Sequence, residues 1–354
     1  MAGSVDRPLP PEVEVRTTLA RGRIRAPYRV LGQLRALRAH DKIVARRLAG
    51  MAGSFDIVHA WPLGARHTLA AAKRMGIPTV LERPNAHTRF AYDVVRRESE
   101  RLGVELPRGH EHAFDERILR IEEEEYGLAD HLLCPSDFVV ETFVDAGYPR
   151  AKLLRHVYGY DETVFFPPER RRAGDSLRVL FVGVAAVRKG LHFALEAWLR
   201  SPASQTGEFL VAGSILPAYE AVLDPMLRHP SVHVLGHRTD VADLMRASDV
   251  LVLPSLEEGS ALVCSEALGT GCVPLASDAA SGVCMHGVNA LVHSAGDIDA
   301  LTRHIDLVHG DPHVLEALRV GAAAGAARIT WSAAGETLLA IYKTVDESAR
   351  RLHA

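Results

Sequence analysis

The sequence predicts an α/β protein built on parallel sheets, with two doubly wound domains in one chain. From residue 55 onward, short apolar runs alternate with helical patterns, which is typical of a parallel α/β sheet. The alternation is interrupted once, by the polar, proline-bearing segment FFPPERRRAGDS at 165–176. The 354 residues are also too many for one ordinary core, and they suit two domains of average size.

The first half of the chain shows three strands separated by helical patterns. The strands are FDIVHAW at 55–61, IPTVLE at 77–82 and HLLCPS at 131–136, and helices are predicted at 65–76 and 114–126. A further helix follows the third strand, where Ser136 and Asp137 are residue types that cap helix starts. The acidic run Glu122–Glu125 is interpreted as a solvated helix face.

The second half repeats the alternation with six strands. They are predicted at 177–183, 208–213, 231–236, 249–254, 272–277 and 290–293. We therefore place an N-terminal domain at 1–167 and a C-terminal domain at 168–329. Two such domains that face each other form a cleft at the carboxyl ends of their strands, where these sheets bind ligands.

Composition limits the class of protein and its compartment. The 41 basic and 44 acidic side chains give a net charge of −3, whereas a general nucleic-acid binder is usually more basic. No apolar run approaches the roughly eighteen residues of a membrane span, and the first residues lack a signal-peptide layout. The four cysteines show no CxxC spacing. We predict a cytoplasmic protein with no nucleic-acid partner.

The charge is concentrated in the segment 16–47, which holds ten basic residues and one acidic residue, Asp41. Within it, YRVLGQLRALRAHDKIVARRL at 28–48 spaces its apolar residues three and four positions apart, as an amphipathic helix does. Two interpretations stay open. The helix docks on an anionic membrane, on the inner face of the cell membrane where a lipid-linked acceptor would lie, or it packs on the core with a charged outer face.

A pair of glutamates frames a short helix in the stretch LPSLEEGSALVCSEALGTGCVPLASD at 253–278. Glu258 precedes the helix, which begins near Ala261, and Glu266 lies within it; a continuous helix would separate them by about 12 Å. The backbone N–H groups of residues 259–263 are free to bind an anion. The glutamates either complement the helix dipole and a solvent face, or accept hydrogen bonds from ligand hydroxyls.

The whole stretch resembles the donor site of the retaining, GT-B-fold glycosyltransferases of family 4. Their pattern is an apolar strand, PS-x-x-EG, a second EA seven residues after the EG glycine, a small-residue turn and another apolar strand. Other segments resemble the family's in the same order along most of the chain, among them FVGVAAVRKG at 181–190 and VHVLGHRTDVADLMRASDVLVLPS at 232–255. The resemblance implies two Rossmann-like domains that face each other, and a last helix, about 330–354, that returns to the N-terminal domain.

The resemblance also implies roles for particular residues. Glu258 faces the donor sugar, Glu266 binds the ribose and Lys189 pairs with the donor diphosphate. His87, in ERPNAHTR after a strand, contacts the donor sugar, so Glu258, His87 and Lys189 form the expected catalytic set. The expected donor site comprises Gly183, Arg188, Lys189, His237, Arg238, Glu258, Gly259, Ser260, Ala261, Leu262, Val263 and Glu266.

The chain departs from the family pattern at two places. Val184 stands where many relatives have an arginine that touches phosphate, and we hypothesise that Arg188 takes its place. No apolar strand with a glycine-rich loop precedes VEVRTTL at 13–19, so we expect either that the natural chain starts upstream of Met1 or that the N-terminal domain lacks its first βα unit.

Two further motifs suggest metals but have simpler interpretations. His110 and His112 have no third or fourth ligand nearby in the sequence, and Asp297 and Asp299 are interpreted as acids at a helix start. Enzymes of this fold generally need no metal in the active site. We expect no metal and no cofactor, because the nucleotide sugar is a substrate.

The sequence therefore predicts a retaining glycosyltransferase of polysaccharide or glycoconjugate biosynthesis. It would move a sugar from a nucleotide diphosphate to a hydroxyl of a saccharide, a lipid-linked acceptor or a small molecule. The alternatives are a non-catalytic partner protein that binds sugar nucleotides and, with less support, a sugar-nucleotide epimerase of the same fold.

Overall fold

The computed structural model describes residues 12–21, 24–25, 32–51, 53–107, 109–170 and 176–353. Two parallel sheets dominate these residues, one in each half of the chain. A short antiparallel pair, β1 (Ala20–Arg21) and β2 (Ile24–Arg25), precedes them. The predicted α/β fold class is confirmed.

The N-terminal sheet has four parallel strands in sequential order. They are β3 (Val58–Ala60), β4 (Thr79–Glu82), β5 (His131–Cys134) and β6 (Leu153–Arg155). Its helices are α1 (Gln33–Ala49), α2 (Arg66–Arg74), α3 (Thr88–Leu102), α4 (Glu116–Leu128) and α5 (Asp137–Asp145). As predicted, Ser136 caps α5, accepting a hydrogen bond from the N–H of Val139 at 3.2 Å.

The C-terminal sheet has six parallel strands. They are β7 (Arg178–Val182), β8 (Glu208–Ala212), β9 (Val232–Gly236), β10 (Val250–Leu253), β11 (Val273–Ser277) and β12 (Leu291–His293). Its helices are α6 (Leu191–Arg200), α7 (Pro217–Leu227), α8 (Val241–Arg246), α9 (Leu262–Thr270), α10 (Ile298–Gly310), α11 (Pro312–Ala326) and α12 (Trp331–His353). Short 3-10 turns complete both halves, at Arg150–Lys152, Val187–Lys189, Pro202–Gln205, Asp278–Ala280 and Ala327–Ile329.

The order of the C-terminal strands is β9-β8-β7-β10-β11-β12, so the chain reverses direction between β7 and β10. This is the doubly wound order whose ligands bind at the reversal point, beyond the carboxyl ends of the two central strands. Helices cover both faces, which explains why β10 and β11 are buried along their whole length and read as continuous apolar runs.

The last helix, α12, lies against the N-terminal domain. Val345 packs with Val80 and Leu133 of the N-terminal sheet. The ring nitrogen Nε2 of His156 lies 3.1 Å from the backbone oxygen of Ala334. A second link between the domains joins α3 to α6, where Nε2 of His192 lies 2.8 Å from a carboxylate oxygen of Glu98. The two domains are therefore in contact at two places.

Helix α1 corresponds to the described part of the amphipathic segment, and residues 28–31 of that segment lie outside the described residues. Leu48 is buried with Ala71, Ala72 and Ile77, so this end of the apolar face packs on the domain. Asp41 accepts hydrogen bonds from the N–H groups of His67 and Thr68 at 2.7 and 2.8 Å. None of the helices described here is both long and apolar enough to cross a bilayer.

One prediction for the N-terminal half is wrong: the acidic run of α4 is not a solvated face. Glu122 and Glu125 are buried, and Glu122 forms an ion pair with the buried Arg83 at 3.0 Å. Glu125 caps the start of α2 by accepting hydrogen bonds from the N–H groups of Ala65 and Arg66 at 2.9 and 3.1 Å. Buried carboxylates need such partners because an uncompensated charge costs several kcal/mol.

Candidate functional site

The loops that follow β7 and β10 meet where the C-terminal sheet reverses direction. The N–H of Leu256 donates to the carbonyl oxygen of Arg188 at 2.8 Å. A side chain at Gly190 would overlap the carbonyl of Pro254, and this glycine has a left-handed backbone (φ 67°). The two loops are therefore held together by backbone contacts, which fixes the side chains of 188, 189, 257 and 258 relative to one another.

Lys189 and Arg188 both bind Glu258. The ammonium of Lys189 forms an ion pair with one carboxylate oxygen, and a guanidinium nitrogen of Arg188 lies 2.9 Å from the other. Burial alone raises the pKa of Glu258, but the two cations outweigh burial, so the pKa is lowered and the group is ionised. Three of the predicted donor-site residues thus form one charged cluster.

Glu257 is a site residue that the sequence analysis did not single out. Its side chain is fully buried, and its carboxylate accepts a hydrogen bond from the N–H of Ala86 at 3.1 Å. His112 approaches the other oxygen, with Nε2 at 3.2 Å. Both partners belong to the N-terminal domain, so Glu257 ties the loop before α9 to the opposite side of the cleft. The doubled glutamate directly after a buried strand is the signal that could have indicated it.

The two domains come into backbone contact beside Glu257. A Cβ added at Gly259 would overlap the carbonyl oxygen of Pro84, which lies in the loop between β4 and α3. Residues 254–261 are buried, so this loop of the N-terminal domain covers the first part of the β10–α9 segment. Glycine is required here because only a residue without a side chain permits such an approach.

The start of α9 offers free backbone donors. Helix α9 begins at Leu262 with Ala261 as its cap, and no side chain caps it. Among the described residues, no acceptor is found for the N–H groups of 259–263, and the hydroxyl of Ser260 is buried without a partner. Leu262 is 40% exposed, so the open part of this anion site lies at 262 and 263.

Glu266 lies on α9, half-buried, and forms no hydrogen bond or ion pair with any described residue. Burial raises the pKa of its carboxyl. A half-buried carboxylate without a protein partner is available to a ligand, unlike Glu258, which is already paired.

The remaining predicted donor residues lie at the edges of this region. Gly183 directly follows β7 and has a backbone (φ 133°) that favours glycine, and Val184 beside it is 53% exposed. His237 and Arg238 follow β9 and are exposed, and Arg238 pairs with Asp240, with Nε 2.8 Å from a carboxylate oxygen.

The structure does not bring His87 to the charged cluster. Its side chain is 2% exposed and packs edge-on against Tyr126 and Phe143, with ring centroids 5.4 and 5.0 Å away. It caps α3 by accepting a hydrogen bond from the N–H of Arg89 at 3.2 Å. Burial, aided by Arg83, lowers the pKa of His87 to about 4, so the ring is neutral. This position fits a buried cap rather than a side chain exposed to a donor sugar.

The motifs that suggested metals have other partners. Asp297 caps α10 through the N–H of Ala300 at 2.8 Å, and Asp299 pairs with Arg200 at 2.9 Å. Within the described part of the chain, no three His, Cys, Asp or Glu side chains are grouped so that they could hold a metal ion.

Comparison with known proteins places these features in a family context. Residues 176–311 match the sequence profile of the family Glycosyl transferases group 1. The chain is 26% identical over 332 residues to a D-inositol 3-phosphate glycosyltransferase of Thermobispora bispora, covering 85% of this chain and 72% of that protein. It is 32% identical over 107 residues to the lipopolysaccharide glucosyltransferase WaaG of Escherichia coli, which is 29% of this chain and 28% of that protein.

Solved structures share the fold. Anabaena Alr3699/HepE in complex with UDP superposes with a TM-score of 0.64 at 17% identity, covering 89% of this chain and 84% of that chain. Sucrose-phosphate synthase from Thermosynechococcus elongatus gives a TM-score of 0.65 at 18% identity, covering 89% and 80%. The chain therefore contains a glycosyl transferases group 1 domain at 176–311, and it shares the two-domain α/β fold of solved GT-B glycosyltransferases.

Proposed function

We propose that the protein transfers a sugar from a nucleotide-diphosphate donor to an acceptor hydroxyl, with retention of anomeric configuration. The observation that supports this best is the cluster of Lys189, Arg188 and Glu258 at the reversal point of the C-terminal sheet, beside free N–H groups at the start of α9. Cations and backbone donors together suit a diphosphate, and carboxylates suit sugar hydroxyls.

Each group has a distinct proposed role. Lys189 offsets the charge that develops on the diphosphate as the glycosidic bond breaks, and Arg188 supplies the second cation that Val184 does not. Glu258 accepts hydrogen bonds from donor-sugar hydroxyls, and Glu266 accepts them from the ribose. Residues 259–263 provide backbone N–H groups to phosphate oxygens. Gly183 leaves room beside the phosphates, and the backbone near His237 and Arg238 borders the base.

Donor binding requires a rearrangement of charge in this cluster. Glu258 is buried and forms ion pairs with both Lys189 and Arg188. A bound diphosphate would compete for these two cations, and the carboxylate of Glu258 would then be able to accept hydrogen bonds from the donor sugar. Retention would follow if the acceptor attacks on the face from which the diphosphate leaves, with the departing phosphate oxygen taking the acceptor's proton. No protein nucleophile is needed in that scheme.

The first test is a thermal-shift screen of nucleotide sugars followed by transfer assays with lipid extracts. UDP-sugars come first, since UDP occupies the similar fold of Alr3699/HepE. The expected result is stabilisation by one donor, followed by transfer, with the product anomer assigned by proton NMR coupling. Lys189→Gln is expected to lower transfer by about 10²–10³-fold. A product of inverted configuration would refute retention.

A matched control and one further variant sharpen this test. The exposed side chain of Arg228 pairs with Asp224 on α7 and does not contact Lys189, Arg188 or Glu258. Arg228→Gln should therefore leave the transfer rate unchanged. Arg188→Ala tests whether Arg188 replaces the arginine absent at Val184. Unchanged donor affinity in that variant would contradict the substitution.

Val184 supports a second candidate, a non-catalytic protein that binds sugar nucleotides for another transferase. Its exposed apolar side chain offers no phosphate contact beside Gly183. That candidate predicts donor binding with neither hydrolysis nor transfer. An epimerase, the third option, would convert the donor sugar with no acceptor present.

A further inference from the structure

A second charged site lies in the N-terminal domain, away from the donor cluster. A cavity of about 330 Å³ opens between α1, α2 and α4, next to the residues that begin α2. Five arginines line it, contributed by all three helices: Arg35, Arg38, Arg66, Arg117 and Arg120. Clustering like charges on a folded chain is unfavourable unless something offsets them, so this arrangement calls for a counter-ion.

The carboxylates that line the cavity form no ion pair with the arginines that the structure describes. Asp41 and Glu125 both line it, but each accepts hydrogen bonds from backbone N–H groups at the start of α2. Their oxygens are thus committed to capping a helix. They hold the cavity wall in place, and they leave the arginine side chains to solvent or to a ligand.

Three of the five arginines have no partner among the described residues. Arg66 pairs with Glu124 at 2.8 Å and Arg117 with Asp115 at 2.9 Å, both on the rim. Arg35, Arg38 and Arg120 form no ion pair or side-chain hydrogen bond with any residue that the structure describes, and they come from two different helices. With respect to the described part of the chain, the cavity therefore presents three unpaired guanidinium groups.

The backbone at the cavity's inner edge is also unusual. Leu63 has a left-handed conformation (φ 68°), which is rare for a leucine, and its N–H donates to Glu125 at 2.7 Å. Leu63 and Leu34 line this cavity and also a neighbouring one of about 460 Å³. The second cavity reaches His112, which contacts Glu257 in the donor loop. The two cavities therefore share part of their wall, and the second borders the loop that holds Glu257.

We propose that the arginine cavity binds a phosphoryl group carried by the acceptor, while the acceptor's hydroxylated part extends through the second cavity toward the donor sugar. A phosphoryl group offers three oxygens and close to two negative charges, which match several guanidinium forks. Asn85 and Glu111 line the second cavity and can hydrogen-bond hydroxyls. The identification of the bound molecule as an acceptor rests on the proposed transferase function. The proposal of an anion site does not depend on that function.

One triple variant and one double variant distinguish binding in the cavity from a general effect of surface charge. Arg35→Gln/Arg38→Gln/Arg120→Gln removes the free guanidinium groups. Arg46→Gln/Arg47→Gln removes two exposed charges from the last turn of the same helix, outside the cavity, and is the matched control. All proteins also carry Lys189→Gln, so that phosphate binding at the donor site is weakened equally. Circular dichroism verifies that each variant is folded.

Calorimetric titration with inorganic phosphate at low ionic strength is the primary measurement. We expect the triple variant to bind phosphate at least about tenfold more weakly than its parent, and the control to stay within about twofold. Equal weakening in both variants would show a diffuse charge effect and overturn the site. Absence of phosphate binding in the parent would overturn it as well.

Two further arms identify the source of the phosphoryl group. Sedimentation with phosphatidylglycerol–phosphatidylcholine vesicles (1:1), competed by inorganic phosphate, tests a lipid-linked phosphate. A lipid source is supported if the protein binds the vesicles, if inorganic phosphate displaces it from them and if the triple variant does not bind them. Phosphate binding without vesicle binding supports a soluble phosphorylated acceptor. Donor binding is measured in proteins that retain Lys189, and it distinguishes a failure of the transferase proposal from a failure of the anion-site proposal. If the wild-type chain binds phosphate in the cavity but no donor, the transferase proposal fails and the anion site stands.

Discussion

His112 and Glu257 form a buried pair across the cleft, with the Nε2 of the histidine 3.2 Å from a carboxylate oxygen. The histidine belongs to the N-terminal domain and the glutamate to the loop between β10 and α9. Arg188 lies beside the same carboxylate at 3.8 Å and reaches Glu258 at 2.9 Å. One chain of contacts therefore runs from the N-terminal side of the cleft to Arg188 and Glu258.

This pair makes stability depend on pH. Burial alone lowers the pKa of His112, but contacts with Glu111 and Glu257 outweigh burial and raise it above 6.5. A group of this kind contributes stability in full below its unfolded-state pKa of about 6.5, and loses it as the pH rises through the folded-state value. We therefore expect the free energy of unfolding contributed by His112 to fall above about pH 6.5.

Urea unfolding of wild type and His112→Gln between about pH 5.5 and 8.5 tests this expectation. Burial lowers the pKa values of His87 and His192, which act in the opposite direction, so the difference between the two proteins is the quantity to follow. The difference should shrink as the pH rises. A difference that stays constant across the range would contradict a protonated His112 in the folded protein.

The contact between Gly259 and Pro84 predicts a strong effect from one methyl group. Gly259→Ala would place its Cβ on the carbonyl oxygen of Pro84, so the two loops must separate. We expect a loss of about 1–3 kcal/mol in stability, as for other overpacked sites, together with weaker donor binding. Gly127→Ala on α4 is the control, because no atom lies within 4 Å of its added Cβ. Similar unfolding midpoints for the two variants would argue against the close approach.

Glu125 provides a test of the N-terminal architecture. The two carboxylate oxygens of Glu125 accept hydrogen bonds from the N–H groups of residues 63, 65 and 66. Glu125→Gln replaces one of these two acceptor oxygens with an NH₂ group, which cannot accept. A buried donor left unsatisfied costs about 1–3 kcal/mol, so stability should fall by that amount in urea unfolding. Glu124→Gln, which affects only the half-exposed pair with Arg66, should cost less than about 1 kcal/mol. Equal costs would contradict the buried cap.

Much of the fold was predictable because the strands are short, apolar and bounded by glycine or polar turns. Helix α3 was not predicted. Its buried residues repeat with helical spacing, but several of them are small or polar, such as Thr88, Ala91 and Ser99, and its cap is a histidine. The apolar pattern is therefore weak, and tertiary contacts rather than periodicity define this helix.

The candidate donor site was also predictable only in part. Lys189, Glu258 and the start of α9 belong to local motifs at a predicted strand end, so their proximity followed from topology. Glu257 could not be found like this, because its partners Ala86 and His112 lie 171 and 145 residues away in the sequence. His87 is the opposite case, a residue that the sequence predicted for the site and that the structure places elsewhere. The motif suggested a cleft residue, but three aromatic rings at positions 126, 143 and 148 enclose it.

Glu266 offers the cleanest separation of binding from stability. It is half-buried and has no partner among the described residues, so Glu266→Gln removes charge without breaking a protein contact. If its carboxylate accepts hydrogen bonds from the ribose, donor affinity should fall by about 10–100-fold while the unfolding midpoint stays the same, because hydrogen bonds to charged groups contribute about 1.5–3 kcal/mol. Calorimetric titration with the donor found in the screen gives the affinity, and thermal unfolding gives the midpoint.

The pKa of Glu266 adds a second signature to the same variant. Burial raises this pKa above 4.5, so the carboxyl takes up a proton at a higher pH than an exposed glutamate does. Wild-type donor affinity should weaken as the pH is lowered toward that value, since the protonated group accepts hydrogen bonds less strongly. Glu266→Gln should lack this component, and its affinity should stay low across the range. Unchanged affinity in the variant would place the ribose elsewhere and leave the free carboxylate on α9 without a ligand.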